Sequence, residues 1–128
     1  MSDQFKAIVI NQTENNFTRE VKSLKKSFFK SGDILVDVDY SGLNYKDALI
    51  LNNGGKLVKE YPQIPGVDFS GKVVESENVN FKIGDDVILT GWRVGEIYPG
   101  GYAQFARVKS EFLVKTPKKL TNKNAMIL

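Results

Sequence analysis

The 128-residue chain contains no cysteine and no histidine. The first absence removes disulfides and thiolate nucleophiles, and the second removes Ser-His-Asp triads. Together they exclude nearly every zinc or copper site built on thiolate or imidazole. No apolar run approaches the ~18 residues needed to cross a bilayer. The amino terminus, M-S-D-Q-F-K, has no hydrophobic signal core, so a cytoplasmic protein without a membrane partner is expected. Neither sign of charge dominates, with a net charge of +3 and 26% charged residues. Any chemistry is left to Asp, Glu, Lys, Tyr, Arg, the neutral amides and hydroxyls, and the backbone.

What is present suffices for one core: 41% of the residues are hydrophobic, and the length fits a single domain. Lysines gather at Lys22–Lys30 and Lys115–Lys123, where they could meet phosphate. With no arginine or aromatic stripe beside them, a solvated face is the favoured reading.

The pattern is mainly that of short strands. K-A-I-V-I at Lys6–Ile10 reads as a strand closed by the polar N-Q-T-E-N-N. Over Phe17–Phe29, Val21, Leu24 and Phe28 have helical spacing behind a possible Thr18 cap, which favours a helix, with a strand as the alternative. Asp33–Tyr40 is the clearest strand: Ile34, Val36, Val38 and Tyr40 share a face assigned to the core, while Asp37 and Asp39 face water. Asn44 then caps a short helix from Tyr45 to Leu51, with Asp47 in its first turn and Asn-Asn-Gly-Gly stopping it at 52–55. Further strands are expected at Phe69–Glu75, Asp86–Thr90, Tyr102–Val108 and Phe112–Lys115, with a tight turn over Ile83–Val87. Many short strands with one helical insertion point to a mainly β, partly open barrel.

Three segments carry possible chemistry. N-Y-K-D at Asn44–Asp47 is either a catalytic cluster or a helix start, and the cap alone accounts for Asn44 and Asp47. I-P-G-V-D at Ile64–Asp68 is either a pocket wall, with Asp68 as a buried acceptor, or a turn into a strand. Trp92–Gly95 and Tyr98–Tyr102 form an aromatic, glycine-rich loop of the kind that closes over a flat ligand, or is simply mobile. The residues by themselves name no reaction.

Taken in order, D-I-L-V-D-V-D-Y-S-G-L-N-Y-K-D-A-L, I-P-G-V-D-F-S-G-K-V, F-K-I-G-D-D-V-I-L-T-G-W-R-V-G-E and G-G-Y-A-Q-F-A-R-V resemble the medium-chain dehydrogenase/reductase superfamily. The likeness is greatest to its zinc-free quinone oxidoreductase branch, and within that to the acrylyl-CoA reductase group. The resemblance implies a GroES-like partly open β-barrel with one or two short helices, the amino-terminal domain of a two-domain enzyme. In that fold roughly Phe17–Lys22 is a strand and the lysines after it a loop, against the helical spacing. Zinc-dependent relatives carry Cys at the position of Asn44 and His-Glu at Val67-Asp68, so the resemblance implies no catalytic metal.

The implied activity is NADPH-dependent reduction of a carbon–carbon bond conjugated to a carbonyl, in an acrylyl-CoA-like thioester or a quinone. Asn44 and Tyr45 are the implied catalytic donors beside the nicotinamide, and therefore also the cofactor-binding residues. Asp68, Arg93 and Tyr98 are the candidate substrate-binding residues, with Arg93 at the cleft rim for an anionic group. Lys46 and Asp47 are expected to be structural, Lys46 paired with a carboxylate. No G-x-G-x-x-G fingerprint occurs. Residues 1–128 are thus expected to be the GroES-like domain alone, truncated before a nucleotide-binding domain and binding no cofactor unaided. The intact enzyme is expected to be a homodimer acting on a small molecule, with no nucleic-acid partner. The competing expectation is a stand-alone β-barrel module binding through its lysines.

Overall fold

The computed structural model describes residues 3–52 and 57–126. Seven strands and two short helices follow one another as β1 (Gln4–Thr13), β2 (Asn16–Lys25), β3 (Ile34–Ser41), α1 (Tyr45–Leu51), β4 (Asp68–Ser76), β5 (Asp86–Thr90), β6 (Phe105–Val108), β7 (Leu113–Lys115) and α2 (Asn122–Ala125). β1 and β2 form an antiparallel hairpin, and the other five make a sheet in the order β6-β3-β4-β5-β7. Isolated bridges from Ala7 to Ala103 and from Ile10 to Gln63 tie the hairpin to the loops of the larger sheet. The two sheets do not close, which gives a partly open, GroES-like barrel.

The strands in the sequence are where the alternation put them, with ends shifted by a few residues. The helical spacing over Phe17–Phe29 does not prevail, and the strand that the family resemblance implied over Phe17–Lys22 is present and runs further. Asn16–Lys25 is a strand paired along its whole length with β1, from Thr13–Asn16 to Gln4–Lys25, and a single 3-10 turn at Lys26–Phe28 follows. Ten residues of main-chain pairing outweigh three apolar side chains at helical spacing, and Val21 is left 69% exposed. β6 is shorter than expected, because the main chain at Tyr102 bonds elsewhere. Its N–H donates to the Pro65 carbonyl (3.0 Å), and its own carbonyl accepts from the Ile8 N–H (2.9 Å). Phe112 belongs to a 3-10 turn at Ser110–Phe112, ahead of β7.

Asp33–Tyr40 follows its alternation only in part. Ile34 and Val36 enter the main core with Phe69, Val73, Val87 and Leu89. Leu35, on the opposite face, is equally buried against Phe5, Ala7, Val9 and Ile64 of the hairpin side. The sheet is thus covered on both faces at this end. At the other end Tyr40 leaves the core and is 46% exposed. The tight turn over Ile83–Val87 is present: Gly84 has φ +96°, and the Lys82 N–H donates to the Asp85 carboxylate (2.9 Å). α2, absent from the sequence reading, is capped by the Thr121 hydroxyl, which accepts from the Asn124 N–H (3.0 Å). Of the expected Asn-Asn-Gly-Gly stop, residues 53–55 lie outside the described residues, as do the last two residues of the apolar end.

Candidate active site

α1 starts where β3 runs out. Asn44 keeps an extended backbone (φ −121°, ψ 165°), and the next residue begins the helix. Asp47, in the first turn, is fully buried. One of its carboxylate oxygens accepts from the Asn44 main-chain N–H (3.1 Å), closing the cap, and the other accepts from the Val67 N–H across the cleft (3.0 Å). A single carboxylate therefore fixes the start of the helix and fastens it to the I-P-G-V-D segment.

The Asn44 side chain is oriented by the same means. Its Nδ2 donates to Asp68 Oδ2 at 2.8 Å and approaches Asp47 Oδ2 at 3.4 Å. Ionised carboxylates only accept, so the amide nitrogen must face them, and its orientation is determined. The short bond to Asp68 holds the amide, while the long contact leaves the second N–H weakly engaged. Next to it the Tyr45 side chain is 80% exposed, with Leu43 75% exposed on the same approach.

Tyr102 backs this cluster. Its hydroxyl donates to the Gly42 carbonyl (2.9 Å), fixing the turn between β3 and α1. Burial, and then the neighbouring Asp47 and Asp68 carboxylates, push its phenol well above the ordinary tyrosine range. The chain reaches this position because Gly66, at φ +105°, lets two segments touch. A Cβ there would stand 2.7 Å from the Tyr102 nitrogen and 2.8 Å from that of Gly101. The Gly101 N–H donates to the Gly66 carbonyl (2.9 Å), so I-P-G and P-G-G are two halves of one crossing.

At the edge, the Glu96 carboxylate is 3% exposed and lies between two cations, Lys46 Nζ at 3.4 Å and Arg93 Nε at 3.8 Å. The buried Gln63 amide donates to the Glu96 carbonyl (2.9 Å) and locks the loop from behind. Arg93 and Trp92 both have φ +58°, a left-handed conformation that side chains with a Cβ rarely adopt. The strained turn leaves the Arg93 side chain 55% exposed beside the Lys46–Glu96 pair.

The structure thus brings Asn44 and Asp68 into direct contact, with Tyr45 adjoining in sequence, and joins Arg93 to Lys46 through Glu96. Tyr98 is placed elsewhere: its ring packs on Phe112 (5.3 Å between centroids) and lines a separate cavity. Lys46 has the carboxylate partner expected of it. Tyr102, Glu96 and Gln63 were not singled out from the sequence. The only trace of them there is a tyrosine directly after two glycines, and a carboxylate inside an otherwise apolar, glycine-flanked stretch.

The family model described as alcohol dehydrogenase GroES-like domain matches residues 30–118. The acrylyl-CoA reductase AcuI of Ruegeria pomeroyi is 44% identical over 124 residues, covering 95% of this chain and 38% of that protein. Among solved structures, the yhdH oxidoreductase of Salmonella enterica in complex with NADP superposes with a TM-score of 0.92 at 45% identity, covering 95% of this chain and 38% of that one. The Bacillus subtilis protein yhfP with NAD bound gives a TM-score of 0.92 at 36% identity, covering 98% and 38%. The chain therefore spans a little over a third of the length of these proteins. Among the described residues, no cluster of three or more Asp and Glu side chains is arranged to hold a metal ion, and no helix is long and apolar enough to cross a membrane. A family match over most of the chain, with these two superpositions, places it in the alcohol dehydrogenase GroES-like domain family, in the quinone oxidoreductase and acrylyl-CoA reductase branch of the medium-chain dehydrogenase/reductase superfamily.

Proposed function

We propose that this chain is the substrate-side half of an oxidoreductase that uses NADPH to reduce a carbon–carbon double bond conjugated to a carbonyl, with an acrylyl-CoA-like thioester as substrate. The observation that carries the reading is the Asn44–Tyr45 pair, an amide clamped by carboxylates beside an exposed phenol. The relatives support it by the names they carry, an acrylyl-CoA reductase and an oxidoreductase in complex with NADP.

The exposed edge of Leu43, Asn44 and Tyr45 offers an apolar flank and two donors, which fits a flat ring bearing an amide. When bound there, the cofactor supplies a hydride to the β-carbon of the substrate. The carbon–carbon π pair would then become a double bond between the α-carbon and the carbonyl carbon, the carbonyl π pair would move onto oxygen as an enolate, and a proton from water to the α-carbon would complete the reduction. The protein's task is to stabilise that oxygen. Tyr45 is exposed, and the second Asn44 N–H, held only by the 3.4 Å contact to Asp47, can donate to an incoming oxygen while the Asp68 bond keeps the amide in place. Preorganised donors of this kind lower a barrier by about 3 kcal/mol each, roughly a hundredfold in rate. Arg93 is the residue we assign to an anionic portion of the substrate, and Asp68 acts through Asn44. In the same reading the intact enzyme is a cytoplasmic homodimer with a nucleotide-binding domain beyond residue 128.

The test is an NADPH titration of the 128-residue chain, read by nicotinamide fluorescence, beside the same chain continued through its downstream coding sequence. Cofactor binding and acrylyl-CoA reduction are expected only in the longer protein, with Tyr45→Phe lowering kcat/KM about a hundredfold. An inert longer protein, or full activity in both Tyr45→Phe and Asn44→Ala, overturns the reading.

A further inference from the structure

A cavity of about 490 Å³ opens on the far side of the loop that carries Glu96, and none of Asn44, Tyr45, Asp68 and Arg93 lines it. That volume suits a ligand of drug size. Its walls are aromatic: Phe28 from the turn after β2, and Tyr98 and Phe112, whose rings meet at 5.3 Å and 61°. Its charged lining is unbalanced, with Lys30, Arg107 and Lys109 against the single carboxylate of Glu60. Arg107 is spent on Glu75 (3.1 Å). Among the described residues, Lys30 and Lys109 have no ion-pair partner. Lys109 Nζ is instead poised over the two rings, 5.4 Å from the Tyr98 centroid and 5.9 Å from that of Phe112.

An aromatic lining selects a planar apolar body, and an ammonium that lies over two of its rings without a carboxylate partner selects one negative group on it. We infer that this cavity is a second ligand site, separate from the Asn44–Tyr45 cluster, that takes a planar aromatic monoanion with its ring in the aromatic lining of Phe28 and Tyr98 and its charge on Lys109.

The molecule carries its own reporter. Trp92, the only tryptophan in the chain, stacks on Phe112 at 5.0 Å and 19°. Its indole N–H gives a single, unambiguous resonance in a ¹⁵N-labelled sample. Titration with 2-naphthoate should move that resonance saturably, together with the amides of residues 97–99 and 107–112. The neutral isostere 2-naphthamide, and the variant Lys109→Gln, should each bind about fivefold more weakly, the factor that ~1 kcal/mol of exposed charge pairing supplies. Tyr45→Phe should bind as the parent does. Absence of saturation, equal affinity for acid and amide, an unaltered affinity in Lys109→Gln, or displacement centred on residues 43–47 would each overturn the proposal.

Discussion

Asp47 shows how much one buried side chain can carry. It accepts from the Asn44 and Val67 main-chain N–H groups and receives the weaker contact of the Asn44 amide. Asp47→Ala would strand two donors and open the cap. We expect a loss of about 2–4 kcal/mol, measured as the fall in the urea midpoint. Asp47→Asn recovers only part of this, because an amide has one accepting oxygen where the site needs two. A loss below about 0.5 kcal/mol in Asp47→Ala would mean that water satisfies both N–H groups and that the site is not built on this carboxylate. The cap was legible in the sequence, since Asn and Asp three residues apart before an apolar stretch have few other uses. The second bond, to Val67, was not, because no local pattern announces an acceptor that serves a segment 20 residues away.

Between elements, Asp33 and Ser110 play a comparable part. The Ser110 N–H and hydroxyl donate to the two oxygens of Asp33 (2.7 and 2.8 Å), and the Asn78 amide donates to the same hydroxyl (2.9 Å). The start of β3 is thereby fastened to the turn that precedes β7. Burial by itself would raise the Asp33 carboxyl, but the Ser110 bonds outweigh it, so its range lies below that of an ordinary aspartate. A carboxyl depressed in the folded state contributes stability that is present above the unfolded value, about 3.9. It is lost as the pH falls through the lower, folded value. Ser110→Ala should therefore destabilise the protein more at pH ~7 than at pH ~2.5, when urea midpoints are compared at both. A pH-independent difference would show that Asp33 is not the partner that matters. At this scale the strands were readable from alternation, except Asn16–Lys25, where the spacing looked helical and the family resemblance instead implied a strand over Phe17–Lys22. Its pairing with β1 is a long antiparallel ladder, and of the side chains at helical spacing Val21 is left largely exposed.

Over the whole molecule, part of the lysine charge is met by carboxylates. Lys22 lies 3.4 Å from Glu20, Lys72 2.7 Å from Asp86, and Lys115 3.6 Å from Asp85. Carboxylates interleave with ammonium groups, and the net charge is only +3. A barrel that gripped nucleic acid would need a phosphate-tracking groove, and its affinity would fall steeply with salt. We expect fluorescence anisotropy with a single-stranded oligonucleotide to show no saturable binding at 0.05 M salt. A tight complex that dissolves between 0.05 and 0.2 M would bring the binding-module reading forward.

The short-strand pattern, the α1 cap and the tight turn at Gly84 were legible in the amino-acid order, since each rests on contacts within a few positions. The sequence determined also what chemistry is excluded, since histidine and cysteine are simply not there. The tertiary structure alone decided that Tyr40 leaves the core, that Tyr98 turns from the cluster to a separate cavity, and that Asp68 holds Asn44. All three depend on which distant segment lies opposite, and that is settled by the crossing of I-P-G with P-G-G and the closing of the hairpin onto the sheet, neither of which has a local signature.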